Sequence, residues 1–244
     1  MNQNVEIGEE TLAKLRETST ATIATLLFKR GIRNAFVQGV GRLGPAKPRM
    51  VGPAFTLRYI AAREDTDELK EFRNPEHPQR KAIETCPPGH ILVMDCRRDA
   101  SAASAGSILL TRLEVRGGAG VVTDGGIRDV DGAIGLDMPV YAAGPSALTN
   151  LTRHHAVDID VPVSCGTVPV YPGDIVVGDG DGVMIIPRHL AAEIAEEAIP
   201  MELYEDFVLE EVRAGASITG LYPATNPHNL AKFEEWKVRR NSLT

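Results

Sequence analysis

Between residues 117 and 129 the chain reads Gly-Gly-Ala-Gly-Val-Val-Thr-Asp-Gly-Gly-Ile-Arg-Asp. The apolar run at 119–123 is a buried strand bounded by turn residues. It ends in Asp124, and the two glycines that follow let the backbone turn sharply, so that Arg128 and Asp129 project from the turn. Just upstream, residues 106–116 place Ile108, Leu109 and Leu113 on one side and stop at Gly117-Gly118, which predicts a helix. Strand and helix at these intervals build α/β layers, and ligands in such folds collect at the carboxyl ends of the strands. An Arg beside an Asp at that place offers a planar fork for a carboxylate and a hard oxygen for a divalent cation. The alternative is a tight turn carrying a surface ion pair.

The flanking sequence extends the pattern. Residues 9–16 form a short amphipathic helix. Ser19-Thr20 cap a second helix through Ile23, Ala24, Leu26 and Leu27, which Gly31 closes. Residues 51–60, 90–95 and 139–143 read as strands, with Pro53 placing the start of the first at an edge or a strand beginning. Residues 61–80 are a polar surface excursion broken by Asn74-Pro75 and His77-Pro78, with a helical turn near 66–72. Residues 161–187 are a tight all-β section punctuated by Pro-Gly-Asp and Gly-Asp-Gly-Asp-Gly turns. From 189 to 215 an acidic helical pattern is divided in two by Pro200. The tail from Asn226 holds the single tryptophan, Trp236, among Lys232, Lys237, Arg239 and Arg240. With no linker, the expected organisation is one domain over 1–225 and a C-terminal helical arm over 226–244.

Composition narrows the function. Hydrophobic residues are 43% and charged residues 24% of the 244, an ordinary soluble balance. A net charge of −7 and only 5% aromatics argue against a nucleic-acid partner, which needs clustered cations or stacking platforms. No stretch approaches a membrane span or a signal layout. Cys86, Cys96 and Cys165 show no metal-ligand spacing and read as reduced thiols, so a cytoplasmic location is expected. Asp174, Asp179 and Asp181 sit beside glycines as turn acids and do not match a calcium loop. The adjacent His154 and His155 read as a solvated loop. The start of the helix at Gly106, Ser107, Ile108 and Leu109 carries free amides that suit an anion, provided the fold brings them near Arg128.

The segment 116–129 resembles the RraA-like family, which includes the divalent-metal-dependent 4-hydroxy-4-methyl-2-oxoglutarate (HMG) aldolases. The resemblance extends to Gly-Pro-Ala-Phe-Thr at 52–56, Pro-Gly-His-Ile-Leu-Val-Met-Asp at 88–95, Pro-Val-Tyr at 139–141 and the β section at 170–187, covering residues 10–200 in order. It implies a layered α/β/β domain of the swivelling type, assembled as a homotrimer or a dimer of trimers with sites at subunit interfaces. It also implies that Asp129 anchors Mg²⁺ or Mn²⁺ largely through water, and that Arg128 holds the carboxylate or enolate oxygen of a pyruvyl group. The amides around Gly106, Ile108 and Leu109 would grip the carboxylate of a small 2-keto or hydroxy acid. The reaction implied is aldol cleavage releasing pyruvate, or oxaloacetate-type decarboxylation. The aldolases carry an acid about twenty residues before the Arg-Asp pair, and here that position is Ser107. Asp95 and Asp99 lie close upstream as substitutes, and the acidic stretch 202–211 is a regional candidate for the acid a partner subunit supplies. The departure at Ser107 keeps two alternatives open: a protein-binding regulator of a ribonuclease, which the family also contains, and a sugar-acid dehydratase using the same metal site.

Overall fold

The computed structural model describes residues 7–242. The chain opens with helices α1 (Glu9–Arg16) and α2 (Thr20–Lys29). The Ser19 hydroxyl caps α2 by accepting from the Thr22 amide, and Gly31, at φ 81°, closes it. The Gly31 and Ile32 amides then donate back to the carbonyls of Phe28 and Leu27, so the helix ends where the sequence places its stop. Strands β1 (Gly41–Arg42) and β2 (Met50–Ala61) follow, then a 3₁₀ turn at Leu69–Arg73, helix α3 (Pro78–Thr85) and β3 (Ile91–Asp95). The central run is β4 (Ala103–Ala105), α4 (Ser107–Val115), β5 (Gly120–Ile127), α5 (Val130–Ile134) and β6 (Val140–Pro145). Strands β7 (His154–Ile159), β8 (Val163–Cys165), β9 (Val168–Val170), β10 (Ile175–Gly178) and β11 (Val183–Ile186) precede α6 (Ala191–Arg213) and α7 (Pro227–Asn241).

The mixed α/β architecture expected from the sequence is the one observed. One nine-stranded sheet runs β1-β6-β5-β3-β2-β10-β11, with β4 beside the end of β5 and β7 beside the end of β2; β8 and β9 form a separate ribbon. β2, β3, β5 and β6 are parallel, as is β4 against β5, whereas β1, β7, β10 and β11 are antiparallel. The parallel strands are buried nearly throughout, as continuous apolar runs such as Ile91–Met94 require. Leu110 and Leu113 of α4 pack with Leu57, Leu92 and Val121 on one face. Val93, Val122 and Tyr141 point the other way, towards Val168 and Ile185. Pro53 falls one residue before β2 begins pairing with β3 at Ala54, where a missing N–H disturbs no parallel ladder bond.

Three expectations are corrected. β5 does not end at Asp124: it runs on through Gly125 and Gly126 to Ile127, paired to β4 on one side and β6 on the other. The glycines serve close packing here. A Cβ at Gly125 would lie 2.7 Å from Cys96 Sγ, and one at Gly126 would lie 2.8 Å from Ser146 Cβ. α6 is one continuous helix through Pro200. Ile194, Ala195 and Ala198 before the proline pack into the core under α1 and α2, and Phe207 and Val208 after it pack against Trp236 of α7. Burial on both sides outweighs the one lost helical hydrogen bond. His154 is fully buried as the first residue of β7, against the Tyr59 ring and the Ala102 carbonyl, so it is not a loop residue.

Candidate active site

The site follows from how β4 meets β5. Ala103 and Ala105 pair with Gly126 and Ile127, and the Arg128 amide donates to the Ala105 carbonyl at 3.1 Å. The residue after Ala105 is Gly106, the N-cap of α4, so strand pairing sets a helix start directly against the end of β5. Asp129 takes the left-handed conformation (φ 54°, ψ 46°), which Asp tolerates better than most residues, and its carbonyl receives the amides of Gly132 and Ala133 to open α5. The kink brings both side chains back over Gly106. A Cβ there would lie 2.8 Å from Asp129 Oδ2 and 2.9 Å from Arg128 Cγ. Arg128 Nε is 3.5 Å from Asp129 Oδ2, and both side chains remain about half exposed.

These groups line one cleft of about 410 Å³, within the ~300–1,000 Å³ of small-ligand sites. Gly106, Ile108 and Leu109 form the wall beside Arg128 and Asp129. No side chain caps α4, so the positive end of its dipole faces the cleft. The rest of the lining comes from Leu69 and Phe72 of the 61–80 excursion, from Gln79 and Arg80 of α3, and from Thr149 and Asn150. Gln79 is locked by donating to the Ser104 carbonyl at 2.6 Å. The excursion itself is tied to β7 by a short hydrogen bond between His155 Nδ1 and the Asp67 carboxylate. Nothing in the sequence of the excursion shows periodicity, which is why Arg80 escapes a reading by pattern; Asn150 stands in a separate 3₁₀ turn, Asn150–Thr152, that carries no motif. The signal for Arg80 is that a polar insertion precedes a helix with Pro at its start.

Of the residues expected at the site, the fold gathers Arg128, Asp129, Gly106, Ile108 and Leu109. Ser107 occupies the first turn of α4 with its side chain packed against Gly132 of α5, where an added Cβ would lie 2.8 Å from Ser107 Cβ. Neither substitute acid reaches the cleft. Asp95 accepts from the Arg97 and Ser164 amides, and Asp99 accepts from Ser101, whose hydroxyl and amide hold its carboxyl below the usual range. The acidic stretch of α6 serves packing within the chain: Glu202 receives the Ser19 amide and hydroxyl, and Glu210 receives Trp236 Nε1. Asp174 and Asp179 likewise accept from backbone amides in their own turns and from Arg188 and Thr20.

Among the described residues no three His, Cys, Asp or Glu side chains converge as a metal cage. The donor set at the cleft is one half-exposed carboxylate, Asp129. That suits a hard cation such as Mg²⁺, which dehydrates reluctantly and is held by one or two carboxylates with water and substrate completing its shell. It does not suit a soft or fully protein-ligated metal.

Fold and cleft together describe a mixed α/β protein with two guanidinium groups, one carboxylate and a helix start around a small-ligand site. A family model for RraA-like proteins (Aldolase/RraA) matches residues 20–185, and the chain belongs to that family. A protein of Halalkalibacterium halodurans named "Putative 4-hydroxy-4-methyl-2-oxoglutarate aldolase" is 33% identical over 150 residues, 62% of this chain and 65% of that one. Protein DlpA of Legionella pneumophila is 25% identical over 171 residues, 70% of this chain and 26% of DlpA. The matches thus span less than two thirds of these relatives' lengths. Among solved structures, Streptomyces coelicolor RraAS2, described as an unusual member of the RNase ES inhibitor RraA protein family, is 31% identical with a TM-score of 0.74, covering 83% of this chain and 97% of that one.

Proposed function

We propose that the protein is a divalent-metal-dependent lyase acting on a small 2-keto or hydroxy acid, by aldol cleavage releasing pyruvate or by oxaloacetate-type decarboxylation. One observation carries this reading: Arg128 and Asp129 share a cleft with the uncapped start of α4, so carboxylate-binding groups and a cation ligand converge on one small volume. The amides of Ile108 and Leu109 would receive the carboxylate next to the keto group, where the helix dipole favours negative charge. Arg128, held by its backbone bond to Ala105, would set its guanidinium on the pyruvyl oxygen. Asp129 would hold Mg²⁺ or Mn²⁺ largely through water, and a bound cation would supply Lewis-acid stabilisation of charge developing on the keto oxygen. Both reactions leave an electron pair on the same carbon of pyruvate, so one arrangement of Arg128 and the α4 amides serves either. The protein would act in the cytoplasm as a homotrimer or a dimer of trimers; Ile108, 80% exposed at the cleft, is an apolar side chain that a neighbouring subunit would cover.

A second reading, a protein-binding regulator of a ribonuclease, is favoured by Ser107, which removes a charge from the site, and by the likeness to RraAS2. A thermal melt separates the two. Adding Mn²⁺ with pyruvate should raise the melting temperature of the lyase, because a ligand bound only to the native state stabilises it. Arg128→Ala should lose that rise while melting normally without ligand. An unchanged melt in the native sequence would favour the regulator.

A further inference from the structure

We infer that Gln79 is a positioning residue for the carboxylate grip: by holding the Ser104 carbonyl from the cleft wall, it fixes where the first amides of α4 stand beside Arg128. The inference rests on the lyase reading for what the grip holds, but the geometry that carries it lies beneath the cleft. β4 is three residues long, and its register against β5 shifts between Ala103 and Ala105. Ser104 stands at that shift with no pairing partner on β5, so its carbonyl must find donors elsewhere. Gln79 Nε2 supplies one at 2.6 Å and the Tyr59 hydroxyl another at 3.1 Å.

The two donors come from different elements, Gln79 from the first turn of α3 and Tyr59 from β2, and all three residues are buried. One donor would satisfy the carbonyl; two, on its two lone pairs, also fix its direction. Burial pushes the Tyr59 hydroxyl well above its ordinary pKa, so it stays a donor through the neutral range. From the other side the Ser104 hydroxyl reaches the Gly126 carbonyl at 2.9 Å and the Thr123 hydroxyl at 3.0 Å, so the residue is clamped between β5 and α3. The chain has no slack beyond it. The Ala105 carbonyl receives the Arg128 amide, and Gly106 is already the N-cap of α4. A displaced Ser104 peptide therefore moves the Ile108 and Leu109 amides against Arg128 and Asp129, which follow directly on β5. Of the groups that hold Ser104, Gln79 lines the cleft and Tyr59 does not. That difference separates positioning from direct contact with a ligand.

The test compares the full native chain with Gln79→Met, which keeps length and removes the donor, and with Tyr59→Phe, which removes the other donor from outside the cleft. Each is assayed in Mg²⁺ for pyruvate binding by calorimetry, for pyruvate release from oxaloacetate, and for thermal melting. Both variants should weaken pyruvate and raise KM by about tenfold, a displacement smaller than the ~1 Å that costs a hundredfold. Because Arg128 and Asp129 stay on β5, kcat should hold within about twofold. Melting should fall by only about 2–4 °C, the loss of one buried hydrogen bond. The inference is overturned if Gln79→Met weakens pyruvate and Tyr59→Phe does not, since Gln79 would then touch the ligand itself. It is equally overturned if neither variant changes binding, if kcat falls with KM unchanged, or if the native chain binds no pyruvate. If the native chain binds pyruvate, both variants weaken it, and oxaloacetate yields none above the spontaneous rate, the lyase reading falls and the positioning role stands.

Discussion

Asp124 and Asp129, five positions apart on one segment, do different work because of what surrounds each. Asp124 is 2% exposed and accepts three backbone amides, from Cys96 at 2.6 Å, Arg98 at 2.9 Å and Gly166 at 3.0 Å. Burial pushes its carboxyl above the ordinary Asp range while those amides pull the other way. It therefore locks the loop after β3 and the β8–β9 turn onto β5, a structural task. Asp129 stands half exposed over Gly106 with a single guanidinium for company. Local sequence does not distinguish the two, because Asp124's partners lie up to 42 residues away. Ser107 is the other residue-scale decision. A hydroxyl brings no charge to a cation held by one carboxylate, so Ser107→Asp should tighten Mn²⁺ and raise pyruvate release, by about tenfold if the added carboxylate helps relay a proton. Metal titration followed by steady-state rates checks this, and a rate that falls would show that Ser107 is already the better residue here.

At the scale of elements, much of the sequence was legible because its signals are local. Ser19 and Gly31 bracket α2 by hydrogen bonds within four residues, and Gly117-Gly118 stop α4 in the same way. Where pairing partners are distant the reading failed. The glycines at 125 and 126 look like a turn until Cys96, Ala102 and Ser146 are seen pressing on them. Pro200 looks like a break until Lys14 on Glu196 and Ser19 on Glu202 are seen holding the helix on either side. The candidate site was legible only along one wall, because Gly106–Leu109 and Arg128–Asp129 carry a motif whereas Arg80 and Asn150 carry none. The junction of β4 and α4 makes a prediction at this scale. Gly106 has ordinary extended backbone (φ −131°), so Gly106→Ala imposes no strain. Its new methyl would nevertheless push Arg128 and Asp129 aside. Turnover should fall up to about a hundredfold, the cost of a misplacement of about 1 Å, with little change in melting temperature. A large drop in melting temperature would show instead that the junction is held for stability.

Across the whole molecule, the cleft assembles pieces that the chain keeps far apart: an excursion at 61–80 pinned by Asp67 to His155, the first turn of α3, a turn at 149–150 and the ends of β4 and β5. The C-terminal helix plays no part in that cleft within one chain. α7 folds back on α6 through Phe207, Phe233 and Trp236, with Arg240 over the indole ring, a separate aromatic cluster. No helix is long and apolar enough to cross a membrane among the described residues. The global charge is negative and the cleft is cationic, which concentrates small anions locally without attracting polyanions to the surface as a whole. Whether this cleft cleaves or decarboxylates a keto acid is read most directly from pyruvate release. Oxaloacetate and HMG should each be offered with Mg²⁺, with Mn²⁺ and with EDTA, alongside Arg128→Ala. A lyase should release pyruvate from at least one of them above the spontaneous rate, dependent on metal, abolished by EDTA and absent in Arg128→Ala. Release from neither above background with either metal, or a rate that Arg128→Ala leaves intact, would contradict the lyase reading.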